Sequence, residues 1–138
     1  MPASTYTGNK LLDLLLRGVA FTAPSRVFIA LHTANPGLTG ASDVGIAAWP
    51  AFARLDIAQG GAVATGFDAP AAKKTQNAKQ LLFPMMDGAA TVNVSHWSIW
   101  DALTGGNCLW AGALTYVKAL NPTDEIVVHI GELDLEID

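Results

Sequence analysis

Residues 92–114, VNVSHWSIWDALTGGNCLWAGAL, constrain this chain more than any other stretch. Two apolar, aromatic-rich runs flank Gly105-Gly106-Asn107. Gly and Asn accept the positive φ that a tight reversal between strands demands, and β-branched residues do not. Trp97, Trp100 and Trp110, three of the four tryptophans, sit on the two arms, and each can bury a large apolar area. A central β-hairpin is therefore expected, with Trp97, Ile99, Leu109 and Trp110 facing inward. Val92 and Val94 share one parity while Trp97 and Ile99 share the other, which predicts a bulge near Ser95 and His96.

The chain before the hairpin reads as one helix and several short strands. Ser4, Thr5 or Thr7 can cap a helix over 8–17, in which Asn9, Asp13 and Arg17 leave one polar stripe among five leucines. Asp13 and Arg17 are spaced to pair, and Gly18 is a natural stop. A helix this apolar is expected to be buried on most sides, against a sheet or a neighbouring subunit. Val27, Ile29 and Leu31 alternate as a strand over 26–32. Residues 33–50 form a long connection rich in Gly, Ala, Asn and Pro, of the kind that carries partner contacts. Weaker strands are expected at 52–57 and 62–67, separated by a Gly60-Gly61 turn.

Residues 68–80, with Lys73, Lys74 and Lys79, are the clearly hydrophilic window and are expected to be an exposed arm. Leu81 to Phe83 reads as an edge strand because Pro84 cannot donate to a central ladder. After the hairpin, Asn121-Pro122-Thr123-Asp124 reads as a turn. Ile126, Val128 and Ile130 alternate, then Leu133, Leu135 and Ile137 alternate on the opposite parity, with Gly131 at the phase change. Seven to eight short strands predict a mainly β fold, a jelly-roll-like β-sandwich with one short N-terminal helix and long loops. With 138 residues the chain suits one core. The expected organisation is a single domain, with a leader at 1–7, the helix at 8–17 and the sandwich over 26–138.

Composition narrows the partners. Hydrophobic residues make up 51% and charged residues 14%, so part of the surface is expected to be covered by another chain. The net charge of −4 and the lack of any cationic cluster beyond Lys73-Lys74 argue against nucleic acid. No run reaches the apolar length that spans a bilayer. No secretory signal is evident, and the single cysteine, Cys108, fits assembly in a reducing cytoplasm.

Candidate chemistry is sparse, and no catalytic, cofactor-binding or metal-ligating residue is assigned. His32, His96 and His129 lie on separate predicted strands without zinc-ligand spacing. They are read as structural, with a convergent metal site as the alternative. Cys108 as a nucleophile lacks any local signature, and a buried thiol is the expected state. Ser42 lies in Gly40-Ala-Ser-Asp43, which lacks the second glycine of a hydrolase elbow. Glu132, Asp134, Glu136 and Asp138 fall on one face of a final strand. That face is read as solvated and protective of an edge; the alternative is an acidic surface matched to Lys73, Lys74 and Lys79 of a neighbouring copy.

The run from His96 to Leu114 resembles a recurrent block of small tailed-phage virion proteins, in which Ile-x-Asp-Ala precedes Gly-Gly-Asn and a Leu-x-x-Gly-x-Leu strand. Asn9-Lys-Leu-Leu-Asp13, Ala23-Pro24, Val27 to Pro36, and the closing Gly131 to Asp138 resemble the same group, so the likeness covers nearly the whole chain. Trp100 stands where that group usually has Phe or Tyr. The resemblance implies a non-enzymatic virion protein without cofactors. The expected role is a capsid cement or decoration subunit on the outer surface of the icosahedral head, bound to the major capsid protein, after assembly in the host cytoplasm. The alternative it implies is a tail-fibre, baseplate or adaptor component. A homodimer is expected from the prevalence of two-fold assemblies and the low charge content.

Overall fold

The computed structural model describes residues 3–40 and 48–137. Helix α1 spans Thr5–Arg17. The strands are β1 (Phe28–His32), β2 (Leu55–Asp56), β3 (Lys74–Gln76), β4 (Leu81–Leu82), β5 (Val92–Trp100), β6 (Cys108–Leu120), β7 (Val127–Val128) and β8 (Asp134–Glu136). A mainly β fold with one N-terminal helix is thus what the chain adopts. The described strands form a four-stranded antiparallel sheet, ordered β2-β1-β5-β6, and two ribbons, β3-β8 and β4-β7. The two larger facing sheets of a jelly roll are not among these pairings.

The β5–β6 hairpin makes up half of the sheet, with β5 inside and β6 at the edge. Asp101 shapes the turn: the Asn107 backbone N–H donates to its Oδ1 at 2.7 Å, and the Asn107 amide donates to its Oδ2 at 2.9 Å. Gly106 has φ +73, and a Cβ there would come within 2.5 Å of Asp101 Oδ1. The bulge falls where the parity change places it. Val94 faces Lys118 and His96 faces Ala113, so residues 114–117 of β6 lie opposite Ser95 alone. The shift brings Val92, Val94, Trp97 and Ile99 into one core cluster. That cluster includes Ile29 and Leu31 of β1, Leu81 and Phe83 beside β4, and Leu133 and Leu135 around β8. The opposite face of the sheet is also covered. There Ala30, Trp100, Cys108 and Ala111 pack together, and the Arg54 guanidinium lies 3.8 Å from the centre of the Trp100 ring.

Helix α1 starts three residues before the expected boundary, inside the predicted leader, because Ser4 is its cap. The Ser4 hydroxyl accepts the Thr7 N–H at 3.1 Å, and Gly18 ends the helix with φ 65. The helix lies against β6, and the Ser4 N–H donates to Leu109 O at 2.9 Å. The sheet of the same chain covers only part of the helix. Thr7 is its one fully buried residue, whereas Leu12, Leu15 and Leu16 are 58%, 75% and 77% exposed.

Further expectations are corrected or refined. Within 62–67 the backbone forms a 3-10 turn, Val63–Thr65, closed by the Thr65 and Gly66 N–H groups; small residues between glycines offer too little apolar surface to hold a strand. The expected strand over 52–57 shrinks to β2. The window 68–80 is mostly exposed, as expected, but it is not irregular throughout. It doubles back at 71–74 to supply β3, and ends on Asn77, which is fully buried. Near the C-terminus the two alternating runs reach one core, as expected: Ile126, Leu133 and Leu135 are buried in the same cluster, with Val128 packed against it. Gly131, with φ 82, turns the chain so that β7 pairs with β4 and β8 pairs with β3. Ile130 and Ile137 remain exposed.

Candidate functional site

A groove of about 660 Å³ runs between the four-stranded sheet and the two ribbons. Trp97 and Leu31 line its apolar part, Tyr116 stands on the β6 side, and His129, Asp134 and Glu136 on the other. Lys74 faces Glu136 across the β3–β8 ladder, and their charged atoms approach to 2.9 Å. The hydrogen bond from Lys74, then its charge, holds the Glu136 carboxyl below its ordinary range. The same bond, then the charges of Glu136 and Asp134, raises the Lys74 ammonium. Glu132 is used locally, since its Oε2 accepts the His129 backbone N–H at 2.8 Å.

These contacts divide the acidic stretch. Asp134 and Glu136 share a face with Leu135 buried behind them, as alternation predicts. Glu132 sits in the turn before β8, and Asp138 lies outside the described residues. Lys74 meets its carboxylate within its own chain, which removes the need for a neighbouring copy at that position. Lys79 donates to the Ala58 carbonyl at 2.7 Å, and Lys73 is exposed at the hairpin tip with φ 65.

The histidines occupy three different settings. His32 and His96 face each other across the β1–β5 ladder, but their partners differ. His32 is fully buried and shares a hydrogen bond with the Ser98 hydroxyl, which also accepts the Trp100 indole N–H at 2.6 Å. His96 Nδ1 lies 2.7 Å from the Ser95 hydroxyl, and His129 is exposed in the groove. Among the described residues no group of three His, Cys, Asp or Glu side chains is placed to hold a metal. The Cys108 thiol is buried against Trp100 and Ala111. Ser42 lies outside the described residues, as does the central part of the expected partner loop at 33–50.

The larger exposed features are apolar. One is the leucine face of α1. Another is the β6 bulge, where Tyr116 is 76% and Val117 62% exposed. The sequence showed both as hydrophobic but not as uncovered, since composition does not say which side of an apolar element finds a partner. Arg54 and Asn77 gave no signal at all: each acts on backbone carbonyls far away in sequence. Arg54 donates to Ala102 O at 2.9 Å and Gly105 O at 2.7 Å, gripping the hairpin turn.

No described helix is long and apolar enough to cross a membrane. No match is found among the curated proteins. The family model described as Podophage GP4 fiber I protein gp80 matches residues 2–136, which takes in the helix, the hairpin, the groove and both exposed apolar surfaces. The chain therefore belongs to the podophage GP4 fiber I protein gp80 family, and it is a phage virion protein.

Proposed function

We propose that the chain is a structural subunit of a podophage tail fibre, working through shape and surface contact without a catalytic centre or cofactor. The observation that carries this reading is the apolar surface left open on a single copy, at Leu12, Leu15 and Leu16 and at Tyr116 and Val117. A soluble chain with so little charge is stabilised when such patches are covered. Full burial of one leucine contributes about 2 kcal/mol, and an assembly repeats that gain in every copy. The family match supports a fibre position for these contacts.

A cement role on the outer capsid, against the major capsid protein, draws on the same surfaces and is the second reading. The resemblance of the hairpin block to small tailed-phage virion proteins, some of which are capsid cement or decoration proteins, favours it. Location separates the two. Particles carrying a tagged chain, imaged by electron microscopy, should show extra density on the tail and none over the head. Density repeating over the capsid shell would replace the fibre role with the cement role. Particles lacking the chain should keep the heat resistance of their heads.

A further inference from the structure

We infer that the groove between the sheet and the two ribbons holds an extended segment of a partner protein, in which basic residues alternate with apolar ones. The groove runs on into a second recess of about 400 Å³, reached by Ala119, Leu120 and Glu125. Lys118, Ile126 and His129 are common to both. Together the two follow β6 from Ala113 to Leu120. At the rise of a strand this is up to about 25 Å, which suits an extended chain of about seven residues better than a compact ligand.

Backbone and charge select the occupant. Residues 114–117 lie opposite Ser95 alone on β5, so the bulge has more peptide groups than its neighbouring strand can pair. Leu114, Thr115 and Tyr116 bring that stretch to the groove wall, where an added chain can meet it through main-chain hydrogen bonds. Asp124, Glu125, Glu132, Asp134 and Glu136 stand against Lys74 and Lys118, and Lys74 is already paired with Glu136. The excess is negative. It repels nucleic acid or a phosphorylated segment and attracts Lys and Arg side chains. Between the charges, Leu31, Trp97 and Leu133 form an apolar floor, which receives every second side chain of an extended peptide. A neutral saccharide draws nothing from the excess charge. The partner follows from the reading of the chain as a contact subunit, and from nothing about which part of the particle carries it.

The test is fluorescence polarisation of labelled peptides with the full purified chain, with circular dichroism to check that variants fold. A peptide alternating Lys and Val should bind about tenfold or more tighter than its counterpart alternating Glu and Val. Asp134→Lys and Glu125→Lys should each weaken binding about tenfold, since both carboxylates are exposed along the groove. Asp13→Lys, the same change of charge on α1, should leave binding unchanged. Methylating the peptide's backbone nitrogens should weaken it about tenfold as well, because main-chain hydrogen bonds are lost. Equal binding of the two peptides overturns the inference. So does an effect of Asp13→Lys as large as that of Asp134→Lys, or indifference to methylation. A tryptophan fluorescence change with maltoheptaose, in a chain that ignores the Lys and Val peptide, overturns it too. The fibre reading is judged separately, by position in the particle.

Discussion

The Asn77 side-chain oxygen accepts the Leu133 backbone N–H at 2.9 Å, joining residues 56 positions apart. Its amide nitrogen donates to Lys79 O at 2.8 Å and to His129 O at 3.0 Å, so one buried side chain fastens the turn between β7 and β8 to the β3 segment. Replacing it by alanine leaves backbone groups unpaired, at about 1–3 kcal/mol for each buried group. Asn77→Ala should lower unfolding free energy by about 3 kcal/mol, read as a reduced urea midpoint with an unchanged slope. A loss below about 1 kcal/mol would show that water replaces the amide.

Phe52 and Phe83 stack with ring centroids 6.2 Å apart, and Trp49 lies 5.3 Å from Phe52. Phe83 is almost wholly buried, whereas Leu82 beside it is half exposed. Phe83→Ala should cost about 3–5 kcal/mol, and Leu82→Ala about 0.5 kcal/mol. Comparable losses at the two positions in chemical denaturation would contradict the facing assigned to β4.

The hairpin turn depends on backbone conformation as well as on Asp101. Gly105 and Gly106 both have positive φ, but a side chain at Gly105 meets open space, while one at Gly106 meets Asp101 and Ala102. Gly105→Ala should cost about 1–2 kcal/mol, the left-handed penalty for a residue with a Cβ. Gly106→Ala should cost more, and Asp101→Ala about 2 kcal/mol through two lost hydrogen bonds. Thermal melting of the three variants should rank Gly105→Ala as the most stable.

The Lys74–Glu136 pair makes a pH-dependent contribution at the surface. Glu136 is depressed in the folded chain, so its contribution is present above the unfolded carboxylate value and disappears as pH falls through the folded one. Lys74 is raised, so its contribution holds below its unfolded value and disappears as pH rises through the folded one. Glu136→Gln should therefore lower the melting temperature slightly at neutral pH. The difference from wild type should vanish at acid pH below the ordinary carboxylate range, and shrink in high salt. A difference that persisted in acid would exclude the ion pair as its cause.

Local signals were the legible part of this fold. Glycines and asparagine between tryptophan-rich runs marked the hairpin, a parity change marked the bulge, and Gly18 marked the end of α1. What escaped was non-local. Asn77 sits in the most hydrophilic window, where its residue type reads as exposed. It is buried because backbone groups some fifty residues later need its amide. The same holds for the groove: nothing near Lys74 in sequence announces Glu136, and the ribbon that joins them forms only once Gly131 has turned the chain. The α1 leucines err in the other direction, since an apolar residue is expected inside until the partner that covers it is known.

The unequal crossing at Ser95 also bears on how the sheet meets the world outside it. β6 closes one side of the sheet, and Ala3 bridges it only at Trp110. Beyond that bridge a straight ribbon would offer a ready template for a foreign strand. The three additional residues pucker the ribbon midway and bend its free carbonyls and amides out of line. Indefinite edge-to-edge stacking is discouraged, which leaves a particle free to fix the number of subunits through side-chain surfaces.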